Sequence, residues 1–341
     1  MDLTTIFHAA QQHRASDVHI DVAHPQVFVR VAGQLKPLEG VTISSVELTQ
    51  WLTSRLNNEQ MARFAARQQF DFAYHEPQLS INARVAVYFN RSGLTLAIRL
   101  LSTSIPSLSD LDAPQFLQNL SPFSSGLVLI TGATGGGKST TLASYLSHIN
   151  QRYAAHVVTL EDPVEYHHVA QKSLFHQFEE NLDFVDYTYA LKCSLRVDPD
   201  VIVVGELRDL NSIKMALQAA ETGHLVLATL HSSSAVAAIT RMINVFDDGN
   251  KSFIRHVLSS VLLGVVSQRL VRSSVANERV AIFETLVANS AVKNMIAEQK
   301  EAQLNNLMQT QAQAGMFTFA QHYQKRLNAG QVLESNHDQN H

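Results

Sequence analysis

The sequence predicts an α/β protein of two domains, a small mixed one followed by a larger one built on a parallel sheet. Length and composition allow it, since 341 residues with 45% apolar content can fill a core in each domain. From Gly126 onward the apolar runs "GLVLI", "HVVTL", "DVIVV" and "HLVLATL" alternate with helical segments, the pattern of strands covered on both faces. Before about residue 101 the strands are short and alternating instead.

In chain order, residues 1–101 read as an opening helix to about Gln12, strands such as "QVFVRVAG", a helical stretch 45–67, and the closing strands "INARVAVYF" and "LTLAIRLL". A linker follows at 102–118, "STSIPSLSDLDAPQFL", where prolines and hydroxyl residues lead into a helix start. The second domain spans 119–334. After about residue 250 its periodicity reads as helical nearly throughout, and the polar tail 335–341, "SNHDQNH", reads as disordered. No internal repeat is evident.

Charge and cysteine content narrow the class. Lys and Arg total 26 against 30 acidic residues, so the formal charge of −4 provides no global attraction to nucleic acid or anionic lipid. The single cysteine, Cys193, excludes an internal disulfide and a four-cysteine zinc module, and reads as a small buried apolar residue. No signal peptide is expected in "MDLTTIFHAAQQHRASD", and no apolar run approaches the ~20 residues of a membrane span. These features predict a cytoplasmic protein.

The chemistry begins at "LITGATGGGKSTTL". Gly132, Gly137, Lys138 and Ser139 fit G-x-x-x-x-G-K-[ST] between an apolar strand and a helix-compatible run, where a phosphate loop must lie. Glycines 135, 136 and 137 let successive backbone N–H groups point at phosphate oxygens, so the loop residues Ala133, Thr134, Gly135 and Gly136 and the helix start at Thr140 are candidate nucleotide contacts. Lys138 is expected on the β- and γ-phosphates and the Ser139 hydroxyl on Mg²⁺, making ATP and Mg²⁺ the expected ligands.

Other apolar runs also end in polar chemistry. "TLEDPVEY" offers Glu161, Asp162 and Glu165 to orient Mg²⁺ or the attacking water, with Pro163 turning the chain. In "DPDVIVVGELRD", Gly205 is expected to leave room beside the phosphates and Glu206 to supply a carboxylate for water or for metal-bound water. Arg208 and Asp209 either fix this loop or join the chemistry, and Asn211 or Asp209 caps a helix over 212–222 that ends at Gly223. "ETGHLVLATLHSSSA" sets His224 before a strand and His231 after it, where an imidazole could sense the γ-phosphate. The pair His167-His168 is not expected to bind metal, because adjacent side chains on extended backbone diverge.

The phosphate loop, "LEDPVEY", "DPDVIVVGELRDL" and "AAETGHLVLATLHSSSA" resemble, in the same order, the four signature boxes of the secretion and type IV pilus ATPases, above all the PilT-type retraction ATPases. "ASDVHI" at 15–20 and "AVKNMIAE" at 291–298 extend the resemblance over nearly the whole chain. It implies a hexameric ring of subunits, each with a RecA-like parallel-sheet ATPase domain preceded by a smaller PAS-like α/β domain. Glu161 and Glu165 then fall in the Asp box, Glu206 in an atypical Walker B, and His224 and His231 in the His box, all with catalytic roles implied. The resemblance also points to arginines of the smaller domain, first Arg84 and Arg99 and then Arg91, reaching a nucleotide held by the next subunit, where a planar donor suits developing γ-phosphoryl charge. The chain departs from the family pattern at Asn82 and Lys293, where arginines are usual, and at Ala133 and Gly136, where proline and serine are usual.

The function implied is a motor that retracts or disassembles a pilus-type fibre, as in twitching motility. An effector-secretion or conjugation ring ATPase, and a nucleotide-binding accessory paralogue of a retraction motor, are the alternatives. Assembly and type II secretion relatives usually add an N-terminal domain and a four-cysteine zinc insert, neither of which is expected here. Expected partners are further copies of the chain, an inner-membrane platform protein and a paralogous motor, with no specific nucleic acid; the expected location is the inner face of the cytoplasmic membrane. Along "AVKNMIAE", Ala291, Val292, Met295 and Ile296 recur at helical spacing, which would display Lys293, Asn294 and Glu298.

Overall fold

A computed structural model describes residues 3–31, 33–76, 81–101, 104–275 and 279–333. The expected disordered tail, 335–341, lies outside the described residues. The chain divides into two compact units, Met1–Ser104 and Ile105–His341.

The first unit contains α1 (Leu3–Gln12), β1 (Asp17–Asp21), β2 (His24–Val31), β3 (Gln34–Thr42), α2 (Ser45–Thr53), α3 (Asn58–Ala65), β4 (Phe70–Glu76), β5 (Ile81–Asn90) and β6 (Gly93–Leu101). Its sheet has the order β3-β2-β1-β6-β5-β4, and its paired strands run antiparallel. Helix α1 buries Leu3, Ile6, Phe7 and Ala10, the spacing of one helical face. The stretch expected to be helical over 45–67 holds two helices. Ser44 and Glu47 form a capping box for α2, and Asn57 with Gln60 forms a second one that starts α3.

The second unit contains α4 (Gln115–Asn119), β7 (Gly126–Thr131), α5 (Lys138–Arg152), β8 (His156–Glu161), β9 (Leu174–Glu179), α6 (Tyr187–Ser194), β10 (Val201–Val204), α7 (Leu210–Glu221), β11 (Leu225–Leu230), α8 (Ala235–Asn244), α9 (Asp248–Val261), β12 (Leu262–Arg272), β13 (Arg279–Val287), α10 (Ser290–Ala297), α11 (Leu304–Thr310) and α12 (Phe319–Asn328). Its sheet order is β13-β12-β7-β11-β10-β8-β9, parallel except for β13. Alternate strand residues serve two cores. Leu127 and Leu129 join α7, α8 and α9 on one face, while Val128 and Ile130 join α5 on the other. That double burial is why these strands read as continuous apolar runs.

Other expectations change as well. The region after 250 is not helical throughout, because β12 and β13 follow α9. A run such as "LLGVV", apolar at successive positions, fits a buried helix and a buried strand equally, and pairing with β7 decides between them. The segment expected as linker, 102–118, does not stand free. From Ile105 it clusters with the second unit, and Leu108, Ala113 and Leu117 are buried there. Cys193 on α6 is half-buried rather than buried.

The segment "AVKNMIAE" forms most of α10, which buries Val292 and Ile296. Asn294 and Glu298 are exposed, as is Ala291, which was expected inside. Lys293 is not simply displayed: its ammonium donates to the Ser260 carbonyl near the end of α9, 3.1 Å away, where a helix C-terminus favours a cation. Among the described residues no helix is long and apolar enough to cross a membrane.

Candidate active site

The phosphate-loop sequence occupies the turn from β7 into α5. Gly135 and Gly137 have φ of +73° and +85°, the left-handed region that glycine adopts without a Cβ penalty, and Gly137 is the N-cap of α5. Ala133, Thr134 and Gly135 are exposed at the tip, whereas Ser139 and Thr140 are half-buried in the first turn of α5. Lys138 Nζ donates to the carbonyls of Gly132 (2.8 Å) and Ala133 (3.0 Å), and lies 3.3 Å from His231 Nδ1. Burial lowers its pKa from the ordinary lysine value, against the charges of Glu206 and Glu165.

Glu206 and His231 arrive beside Lys138 because β10 and β11 are neighbours in the parallel sheet and both side chains lie just past the strands' C-terminal ends. His231 Nε2 is 3.2 Å from Glu206 Oε1. Arg208 Nε donates to Glu206 Oε2 at 2.8 Å and its Nη1 to Asp162 Oδ2 at 3.2 Å. The geometry therefore gives Arg208 a loop-fixing contact set, and Asp209 is the N-cap of α7 through a capping box with Ser212.

Glu161 ends β8. Its carboxylate accepts from Thr159 Oγ1 (2.7 Å) and Gln177 Nε2 (3.3 Å). Burial, with some help from Glu165, pushes its pKa up to about 7 against those two hydrogen bonds. Gln177 also receives the His168 N–H and donates to the Tyr166 carbonyl, so this single side chain ties both ends of the acidic loop to β9. Tyr166 in turn lies 2.9 Å from Thr140 Oγ1. His168 stacks on Phe175 with ring centroids 4.8 Å apart.

Some expected members lie elsewhere. His224 precedes β11, at the opposite end of that strand from His231; six strand residues separate the two, roughly 20 Å. Its Nδ1 is bonded locally to the Ala219 carbonyl at 3.1 Å. At Gly205 the close neighbour is protein: a Cβ there would lie 2.9 Å from the Leu160 carbonyl of neighbouring β8. Arg84 and Arg99, in the first unit, are direct cross-strand partners and so share one face of its sheet. Arg84 is paired with Asp71, and Arg99 Nε lies 3.2 Å from Asp17 Oδ1. Arg91 is exposed in the β5–β6 turn.

Sequence reasoning missed Gln268 on β12. It is only 3% exposed, and its Oε1 accepts from Thr141 Oγ1 at 2.6 Å. The signal was present in "GVVSQRLV", where Ser267 and Gln268 interrupt an apolar run. Tyr166 and Gln177 were missed as well, because their roles depend on which strand lies beside β8.

The family described as type II/IV secretion system protein matches residues 1–336. Uncharacterized protein YggR of Escherichia coli K12 is 40% identical over 97% of this chain and 100% of its own length. The type IV pilus retractation ATPase PilT of Pseudomonas aeruginosa is 35% identical over 93% of this chain and 92% of its own. Among solved structures, that of the pilus retraction motor PilT with bound ADP superimposes with a TM-score of 0.86 at 34% identity, covering 98% of this chain and 95% of that one. The RecA-like ATPase fold implied by the family resemblance is the fold of that structure. A match over nearly the whole length, with the phosphate loop and the strand-end carboxylates in one unit, means that the chain belongs to the type II/IV secretion system protein family and is PilT-like within it.

Proposed function

We propose that the chain is an ATP-hydrolysing motor subunit of a type IV pilus-type machine, acting as a homohexameric ring that retracts the fibre and so supports twitching motility. The observation that carries this reading is the continuous row Lys138, His231, Glu206, Arg208 and Asp162 beside the phosphate loop, in a chain alike to PilT over 93% of its length. In this reading Lys138 and the N–H groups of 132–140 bind the phosphates. Glu206 accepts the proton of the attacking water, held in aim by Arg208 on one oxygen and His231 on the other. His231, touching both Lys138 and Glu206, relays loss of the γ-phosphate, with Glu161 and Glu165 orienting water from the neighbouring loop.

The Ser139 hydroxyl in the first turn of α5, Glu161 at the end of β8 and Glu206 just past β10 offer oxygen donors, the kind Mg²⁺ takes. Ser139, with one of those carboxylates, would hold the ion, which neutralises charge on the β- and γ-phosphates when bound. Residues 1–101 act as a PAS-like domain whose Arg84 and Arg99 complete the site of the adjacent subunit. Its partners are an inner-membrane platform protein and a paralogous motor, at the cytoplasmic face of the membrane.

The test is direct. The full chain should hydrolyse ATP, and Glu206→Gln should bind ATP near normally yet turn over about 10²-fold slower or worse. Cells carrying only that variant should display pili that do not retract. Wild-type turnover by Glu206→Gln would remove Glu206 from the chemistry, and normal retraction in cells lacking the protein would remove the motor assignment.

A further inference from the structure

The fixed glycines of the phosphate loop, Gly132 and Gly137, are ordinarily explained by the ligand: backbone must come close to phosphate. Here both also face the same protein residue. A Cβ on Gly132 would collide with the main-chain carbonyl oxygen of Gln268, and a Cβ on Gly137 would lie 2.6 Å from Gln268 Nε2. Gly136 lies over the same carbonyl, with a Cβ-to-oxygen separation of 3.5 Å. The side chain's remaining polar atom, Oε1, accepts from Thr141 Oγ1 in the first turn of α5. One buried residue on β12 thus meets the start of the loop, its end, and the helix that follows.

β12 is itself held in register at this point. Ser267 Oγ and Thr131 Oγ1 are 2.8 Å apart in the buried interior, on residues that are direct partners across the β12–β7 ladder. The platform under the loop is therefore tied to β7, the strand from which the loop departs. A loop whose N–H groups must converge on one anion binds more tightly when its shape is set before the ligand arrives, because less ordering is needed on binding.

We propose that Gln268 is a positioning residue for the nucleotide, holding the two ends of the phosphate loop and the first turn of α5 in their binding arrangement. This rests on the reading of 132–140 as a nucleotide site. A merely structural Gln268 would satisfy the buried Thr141 hydroxyl and nothing more. The two roles separate in a double variant, since Gln268→Leu with Thr141→Val leaves no buried hydroxyl or amide without a partner.

The measurement is equilibrium binding of a fluorescent ADP analogue to the full-length protein, alongside the melting temperature without nucleotide. Gln268→Leu and the double variant should both weaken binding about tenfold, with the double variant melting close to wild type. Unchanged binding by folded Gln268→Leu, or wild-type binding restored in the double variant, would overturn the inference while leaving the nucleotide site standing. Should Gln268→Leu alone fail to fold, the double variant decides. A wild-type chain that bound no analogue, or bound it equally after Lys138→Ala, would overturn the nucleotide-site reading and this inference with it.

Discussion

Glu161 shows how one side chain's surroundings set its chemistry. Its carboxyl ordinarily loses its proton near 4.5, but burial lifts that value to about 7, so the folded protein holds a proton that the unfolded chain releases between these limits. Folded stability contributed by this group therefore falls as pH rises from about 4.5 to 7 and does not recover above. Glu161→Gln, which keeps the size and removes the charge, should raise the melting temperature at pH 8 relative to wild type and change it little at pH 4.5. A variant melting below wild type at pH 8 would show that the carboxylate is better stabilised than its burial suggests.

At the scale of elements, the anchor between α12 and the segment entering the second unit stands out. Asp112, at φ +49°, receives Lys325 Nζ at 2.9 Å and lies 3.2 Å from His322 Nε2, while Arg326 donates to the Leu111 carbonyl at 2.7 Å. His322 Nδ1 accepts the backbone N–H of Phe283 on β13, which requires that nitrogen to carry no proton. Burial lowers the His322 pKa below 6.5, with Arg326 and Lys325 adding to this and Asp112 opposing it. The unfolded chain thus binds the extra proton first, and stability is lost as pH falls below about 6.5. His322→Gln keeps an acceptor for the Phe283 N–H without the titration. Its melting temperature should fall less between pH 7 and pH 5 than that of wild type; an equal fall would assign the loss to other histidines.

At the scale of the whole molecule, Arg84 and Arg99 belong to a different compact unit from the phosphate loop. They share one sheet face, with side chains 44% and 67% exposed despite their aspartate partners. Surface pairs of this kind contribute little to stability, so replacing them should leave the first unit folded. If they serve a neighbouring subunit, a ring mixing Lys138→Ala chains with Arg84→Ala, Arg99→Ala chains holds some interfaces with both functions intact. Such mixed rings should recover part of the ATP turnover that either variant lacks alone. Verified mixed rings with no recovery would count against a site shared between subunits.

The sequence by itself determined what short-range pattern can carry: the apolar runs that became β7, β8, β10 and β11, the glycine turn between a strand and α5, and a helix after residue 209, whose cap it left between Asp209 and Asn211 and the structure places at Asp209. These rest on residues within a few positions of one another, where periodicity and backbone preference act directly. Tertiary structure alone decided the rest. The helical stretch at 45–67 broke where Asn57 caps, and β12 became a strand only through its ladder to β7. His224 and His231 bracket one strand, but only the fold gives them different partners, the Ala219 carbonyl for the first and Lys138 with Glu206 for the second. The Gln268–Thr141 bond joins residues 127 positions apart, and the Thr131–Ser267 bond residues 136 apart. No local propensity encodes such pairs, because their partners meet only after the sheet has ordered its strands and buried both faces.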